Sequence, residues 1–133
     1  MQQSNPKEIN IYITNAYDML EAAQLMLNNC FYTSAINRAY YAIFYAAAAV
    51  LVTKGLNRGK HSQVISAFRK YFIKTGIFNE QLSDSYGRVM SDRHMGDYDL
   101  AISISQEDAQ ADLQDAKAFV DAISEWLKNE GWL

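Results

Sequence analysis

Cysteine and proline each occur once among the 133 residues, and histidine only twice. With Cys30 alone, an internal disulfide and a thiolate zinc cluster are both excluded, which fits a reducing compartment. Cys30 itself is expected to be a small buried residue. Two histidines, His61 and His94, stand in no His-Glu-x-x-His or paired Glu-x-x-His arrangement, so neither a metal nor another cofactor is expected. There is no glycine-rich phosphate loop and no alternation of apolar and polar residues long enough for a useful strand. The longest apolar run, Ala39 to Val52, is shorter than the roughly 20 residues that cross a bilayer, so it predicts a buried helix and no membrane partner. The start, Met1-Gln2-Gln3-Ser4-Asn5-Pro6, has neither the basic segment nor the apolar core of an export signal, and a cytoplasmic location is the expectation.

Acidic residues are missing from a long stretch. None occurs between Ala22 and Asn79, where Arg38, Lys54, Arg58, Lys60, Arg69, Lys70 and Lys74 stand unopposed. From Asp97 to Glu130 the balance reverses: nine carboxylates face only Lys117 and Lys128, and the whole chain carries a net charge of −3. Such polarity suits a basic surface for a polyanion, and equally suits two segments that pack together or complementary faces of a dimer.

What is abundant is apolar surface, at 50% of residues, enough for one domain with a real core. Ile9, Ile13, Ala16, Leu20, Ala23 and Leu27 step by four and three and predict a first helix. A second is expected from about Thr33 to Lys54, stopped by Gly55, with so continuous an apolar centre that neighbours must cover most of its circumference. Its alanines allow close helix approach, while Tyr40, Tyr41, Phe44 and Tyr45 require large pockets, as core residues or as stacking platforms for bases. Val64, Ile65, Phe68, Tyr71 and Phe72 predict a third helix ended by Gly76. Leu82, Tyr86 and Val89 predict a fourth, with Asn79 as N-cap and Gly87 as an internal weakness. The last helix opens with Ser105 as N-cap, has Asp108 at the capping-box offset, and carries Ala109, Leu113, Ala116, Val120, Ile123 and Leu127 on one stripe. The fold class expected is all-α: an up-and-down antiparallel bundle of about five helices in a single domain spanning residues 1–133.

Chemistry is concentrated in Arg93-His94-Met95-Gly96-Asp97-Tyr98-Asp99, where the fourth helix is expected to end. Arginine presents a planar fork of donors suited to phosphate, histidine titrates near neutrality, and tyrosine brings a hydroxyl and a stacking face. The same residues also make an ordinary helix terminus, with Arg93 pairing Asp97 four residues on for about 0.3–0.5 kcal/mol and Gly96 relaxing the backbone. Lys60 and His61 form a second candidate patch before the third helix, where free N–H groups favour an anion. Asn37 and Arg38 enter the buried second helix as a polar pair able to reach the same cleft, or to tie helices together.

Three ordered blocks then carry a resemblance: Ser34-Ala35-Ile36-Asn37-Arg38-Ala39-Tyr40-Tyr41-Ala42-Ile43-Phe44-Tyr45-Ala46-Ala47, Gly59-Lys60-His61-Ser62-Gln63-Val64-Ile65, and Arg93 to Asp99. Together they resemble the HEPN domain family, in particular its small stand-alone prokaryotic members. The resemblance implies a helical bundle, usually a homodimer, often encoded beside a small nucleotidyltransferase that acts as antitoxin. Several branches are metal-independent ribonucleases with Arg, four to six residues, then His, at a composite dimer site. In that reading Arg93 holds the scissile phosphate, Asp97 orients Arg93, and His94 is a further catalytic candidate. Lys60, His61, Asn37 and Arg38 bind RNA or nucleotide. Five residues after Arg93 this chain has Tyr98 where the signature has histidine; a phenol titrating near 10 is a poor base at neutral pH, so Tyr98 is assigned donation of a hydrogen bond or proton. Arg88 and His94 also stand at the signature spacing, in a conflicting register. Tyr98 is in addition a candidate site of nucleotide transfer by the partner. A non-catalytic module that binds a nucleotide or docks a nucleotidyltransferase, and a structural dimer joined by the two oppositely charged segments, remain open alternatives.

Overall fold

The computed structural model describes residues 6–56, 61–98 and 103–133, apart from the Tyr98 side chain. It contains helices α1 (Pro6–Asn28), α2 (Tyr32–Val52), α3 (His61–Phe68), α4 (Glu80–Tyr98) and α5 (Gln106–Asn129), with a π-helical turn, Arg69–Ile73, prolonging α3. No strand occurs among the described residues. α1 opens on Pro6, whose missing N–H costs nothing at a first helical position, and buries the stripe Ile9, Ile13, Ala16, Leu20 and Ala23.

α2 is the axis of the bundle, touching α1, α3, α4 and α5. At 21 residues it is long and apolar enough to cross a membrane, so the length of the apolar run does not discriminate between span and core. What decides is that neighbours within the chain cover it: every residue from Ala46 to Val52 is buried. Tyr17 donates to Asp121 at 2.8 Å and Lys117 to Gln24 at 3.0 Å, setting α1 antiparallel to α5 as well as to α2. Phe68, Phe72, Phe78, Tyr86, Phe119 and Trp126 form an aromatic cluster where α3, α4 and α5 converge. The first residue of α3, His61, rests on Phe44, whereas Lys54 lies over Phe72 beyond its end, so α3 runs alongside α2.

The helix ends carry the corrections. Cys30 is exposed rather than buried, and its φ of 65° lies in the left-handed region. It closes α1: its N–H reaches Leu27 O at 3.1 Å and the next N–H, of Phe31, reaches back to Met26 O at 2.8 Å. The backbone must turn outward here to begin α2 within three residues, which carries the thiol to the surface. Gly55 and Gly76, both with positive φ, sit where helix endings were expected. Asn79 Oδ1 accepts from Gln81 N at 2.8 Å and Ser105 Oγ from Asp108 N at 3.1 Å, so both expected N-caps form.

α4 runs through Tyr98, so it ends within the polar cluster as expected, with the cluster in its last turns and Gly96 helical. A Cβ on Gly96 would lie 3.2 Å from Thr33 Cγ2 and 3.4 Å from Ile104 Cγ1, so this glycine permits close packing rather than relaxing a terminus. Gly87, read as a weakness, leaves room for Arg69, whose Nη2 would lie 2.8 Å from an added Cβ and whose Nε donates to Ser83 Oγ at 2.8 Å.

A left-handed conformation costs a non-glycine residue roughly 1–2 kcal/mol, partly offset by glycine's greater unfolded-state freedom. Cys30→Gly is therefore expected to stabilise the fold by about 1 kcal/mol, seen as a rise of roughly 3–5 °C in thermal denaturation.

Candidate active site

Asn37, Tyr40, Tyr41 and Phe44 lie three and four residues apart and so share one face of α2. Arg93 of α4 meets that face. Its guanidinium carbon lies 5.0 Å from the Tyr40 ring centroid and 5.6 Å from that of Tyr41, close enough for the cation to be attracted by both ring faces. One turn on, Asp97 Oδ2 is 3.3 Å from Arg93 Nε, though that buried N–H is not aimed well enough to make a hydrogen bond. Asn37 Nδ2 makes a long hydrogen bond of 3.5 Å to the same carboxylate oxygen, and Arg38 Nη1 donates to Asn37 Oδ1 at 2.8 Å. A polar relay thus runs from Arg38 through Asn37 and Asp97 to Arg93, joining the start of α2 to the end of α4.

Tyr40 connects this relay to α3. Its ring is 1% exposed, yet its hydroxyl is 3.0 Å from His61 Nδ1. The imidazole packs against Phe44 at 4.1 Å between centroids. Burial, with Arg93 nearby, lowers the His61 pKa below its ordinary value, so the ring is neutral at pH 7. Burial pushes Tyr40 up to about 12, opposed by Arg93 and reinforced by Tyr41, so it remains a phenol. Above these groups lies an open pocket of about 530 Å³ with Tyr40, Ile65 and Met90 as its apolar lining and His61, Ser62, Ser66, Ser91, Arg93 and His94 as its polar lining. Among the described residues, none that lines it is a carboxylate. A cation, two imidazoles and hydroxyls in one concave surface suit an anionic ligand.

A family model of the HEPN domain matches residues 9–126. The chain belongs to the HEPN domain family. It is 38% identical over 127 residues to a UPF0332 protein of Thermotoga maritima, covering 94% of this chain and 96% of the relative. Two proteins of Methanocaldococcus jannaschii are also similar. The one named "Putative toxin MJ0142" is 34% identical over 127 residues, 96% of this chain and 86% of the relative. The one named "Putative toxin MJ0605" is 38% identical over 126 residues, 92% and 90%.

Of the residues singled out in this HEPN sequence, Arg93, Asp97, Asn37 and Arg38 form the relay, and Arg93, His94 and His61 share the pocket. Neighbouring side chains on a helix diverge by about 100°, but the pocket is wide enough for Arg93 and His94 both to line it. Lys60 lies outside the described residues; so does the Tyr98 side chain, although Tyr98 itself is the last residue of α4. Arg88 does not join His94. It is held by α5, with Nη2 2.9 Å from Asp112 Oδ1 and 2.5 Å from Asp115 Oδ2.

This last cluster was not anticipated from the sequence. Asp112 is 1% exposed, and its Oδ2 meets no donor among the described residues. The available signal was its position: Asp112 falls between Ala109, Leu113 and Ala116, on the stripe expected to be buried. Burial raises its carboxyl to about 7, with the neighbouring Asp92 carboxylate adding to the rise and Arg88 opposing it. Burial and the Asp92 carboxylate both favour the protonated form of Asp112. The folded protein keeps that proton above pH 4, where an unfolded aspartate has lost its own, so this contribution to stability is full in acid and is lost as pH rises from about 4 to about 7. Asp112→Asn should flatten this part of the pH dependence of the melting temperature, measured from pH 4 to 8, whereas the unsubstituted protein retains the slope.

Proposed function

We propose that this HEPN protein is the effector, the toxin, of a pair whose antitoxin is a small nucleotidyltransferase, and that it cleaves RNA without a metal at the Arg93 pocket. The observation that carries this reading is a guanidinium set on two tyrosine rings at the wall of a pocket whose lining, among the described residues, has imidazoles and hydroxyls but no carboxylate. The relatives named as toxins support the biological setting. Arg93 binds the scissile phosphate and stabilises the charge added during attack by the ribose 2′-hydroxyl. Asp97 orients Arg93, Tyr98 donates a hydrogen bond to the reacting phosphate, and Lys60, His61, His94, Asn37 and Arg38 extend the anion site. The working form is a cytoplasmic homodimer.

A non-catalytic module that retains a nucleotide or docks the nucleotidyltransferase is the second reading, favoured by the phenol at position 98 where the family's ribonucleases carry an imidazole. Cleavage of RNA in chelator separates the two. Arg93→Ala should lower kcat by about 10²–10³, the usual cost of removing one charge-stabilising donor, and Tyr98→Phe should lower it less. Equal rates in all three proteins would remove this site from the reaction, and RNA that is bound with a steep salt dependence but never cut would favour the binding module.

In the same pair, Tyr98 is the acceptor of a nucleotide delivered by the partner. Incubation with the nucleotidyltransferase and ATP should add the mass of at least one nucleotide to the intact chain and none to Tyr98→Phe. An equal gain in both proteins would place the modification elsewhere.

A further inference from the structure

The reading above assigns His94 to the anion site and names no base, an ordinary phenol such as position 98 carries being a poor one at neutral pH. A group of the right kind stands in the same pocket on a different helix. His61 opens α3, lines the cavity with Arg93, and is engaged at Nδ1 by Tyr40, the tyrosine on which Arg93 also rests. Tyr40 therefore ties cation and imidazole together through one buried ring.

We infer that His61 is the catalytic base of this site, with Tyr40 as its positioning residue. The inference rests on the RNA-cleaving reading of the Arg93 pocket and adds to it the residue that moves the proton. The inference assigns His61 the Nδ1–H tautomer, donating to the Tyr40 oxygen 3.0 Å away, which leaves Nε2, the nitrogen not engaged by Tyr40, with the lone pair. Nε2 takes the proton of the ribose 2′-hydroxyl as the 2′-oxygen bonds to phosphorus. The bond from phosphorus to the 5′-oxygen breaks, and the proton returns from the imidazolium to that leaving oxygen, directly or through one water. The products are a 2′,3′-cyclic phosphate and a 5′-hydroxyl, with the imidazole neutral again and no oxidant, reductant or metal consumed. Arg93, Tyr40 and His61 all belong to one chain, so the base is not borrowed from a partner protomer.

The His61 ring also packs on Phe44, so catalytic loss must be separated from loss of packing. His61→Asn offers a side-chain amide as a hydrogen-bond partner for Tyr40 but has no nitrogen base. Measured on RNA in chelator, His61→Asn and His61→Ala should each lower kcat by about 10²–10⁴ and lose the acidic limb of the rate profile. A 2′-O-methyl oligonucleotide, which cannot react, should lose no more than about tenfold in affinity for each of them, the share of His61 in the anion site and far less than the fall in kcat. Tyr40→Phe should lower kcat about tenfold with little change in KM. If Arg93→Ala abolishes cleavage while His61→Asn cleaves at a normal rate, or slowly with its acidic limb intact, the base is another group and this inference falls while the ribonuclease reading stands. If the unsubstituted protein leaves RNA uncut, both fall.

Discussion

The placement of one guanidinium over two tyrosine rings organises this molecule. Arg93 comes from the last turns of α4, Tyr40 and Tyr41 from the middle of the buried helix α2, and contact between them fixes where the two helices meet. Each such contact contributes about 0.5–2 kcal/mol, depending on how far water is excluded. The larger consequence is chemical. A positive charge held between aromatic faces, with one carboxylate on one side and an open cavity on the other, is oriented before any ligand arrives.

The rest of the fold serves that placement. Gly96 lets the end of α4 come close to Thr33, near the start of α2, and Asn37 and Asp97 then connect the same two ends through polar groups. Alanines along α2 allow its neighbours near the axis, and the aromatic cluster around Phe68 and Phe119 anchors α3 so that its first residue rests on Phe44. The opposite side of α4 is held independently, by Arg88 against Asp112 and Asp115 of α5. Two arginines five residues apart on one helix thus do different work: one locks α4 to α5, the other faces the pocket.

Most of the architecture was legible in the sequence because helical burial repeats every three to four residues. The stripes of α1 and α5, the glycine endings and the Ser105 cap are all local signals. Features that depend on neighbours distant in the chain were read less well. Cys30 looked like a core residue by type, but its backbone had to turn between two long helices and carried it outward. Gly87 looked like a weakness and Gly96 like a relaxed helix end until Arg69 and Thr33 were seen to fill the space beside them. Asp112 was hidden because a carboxylate within an apolar stripe makes sense only once Arg88 and Asp92 are known to face it. At the site, Arg93, Asp97, His61 and Asn37 could be named from their motifs, whereas Tyr40 read as one core aromatic among several. Its double part, under Arg93 and against His61, appears only when three helices are assembled.

The central claim is that Arg93 is the guanidinium through which this chain meets a phosphate. Nitrogen-15 spectra of the arginine Nε–H groups, recorded while a non-cleavable 2′-O-methyl dinucleotide is added, address it most directly, because each arginine is observed separately. The account predicts a saturable shift of the Arg93 resonance, with Arg69 and Arg88, already committed to Ser83 and to α5, unmoved. An Arg93 signal that stays still while the dinucleotide binds, or that moves no more than those two, would contradict it.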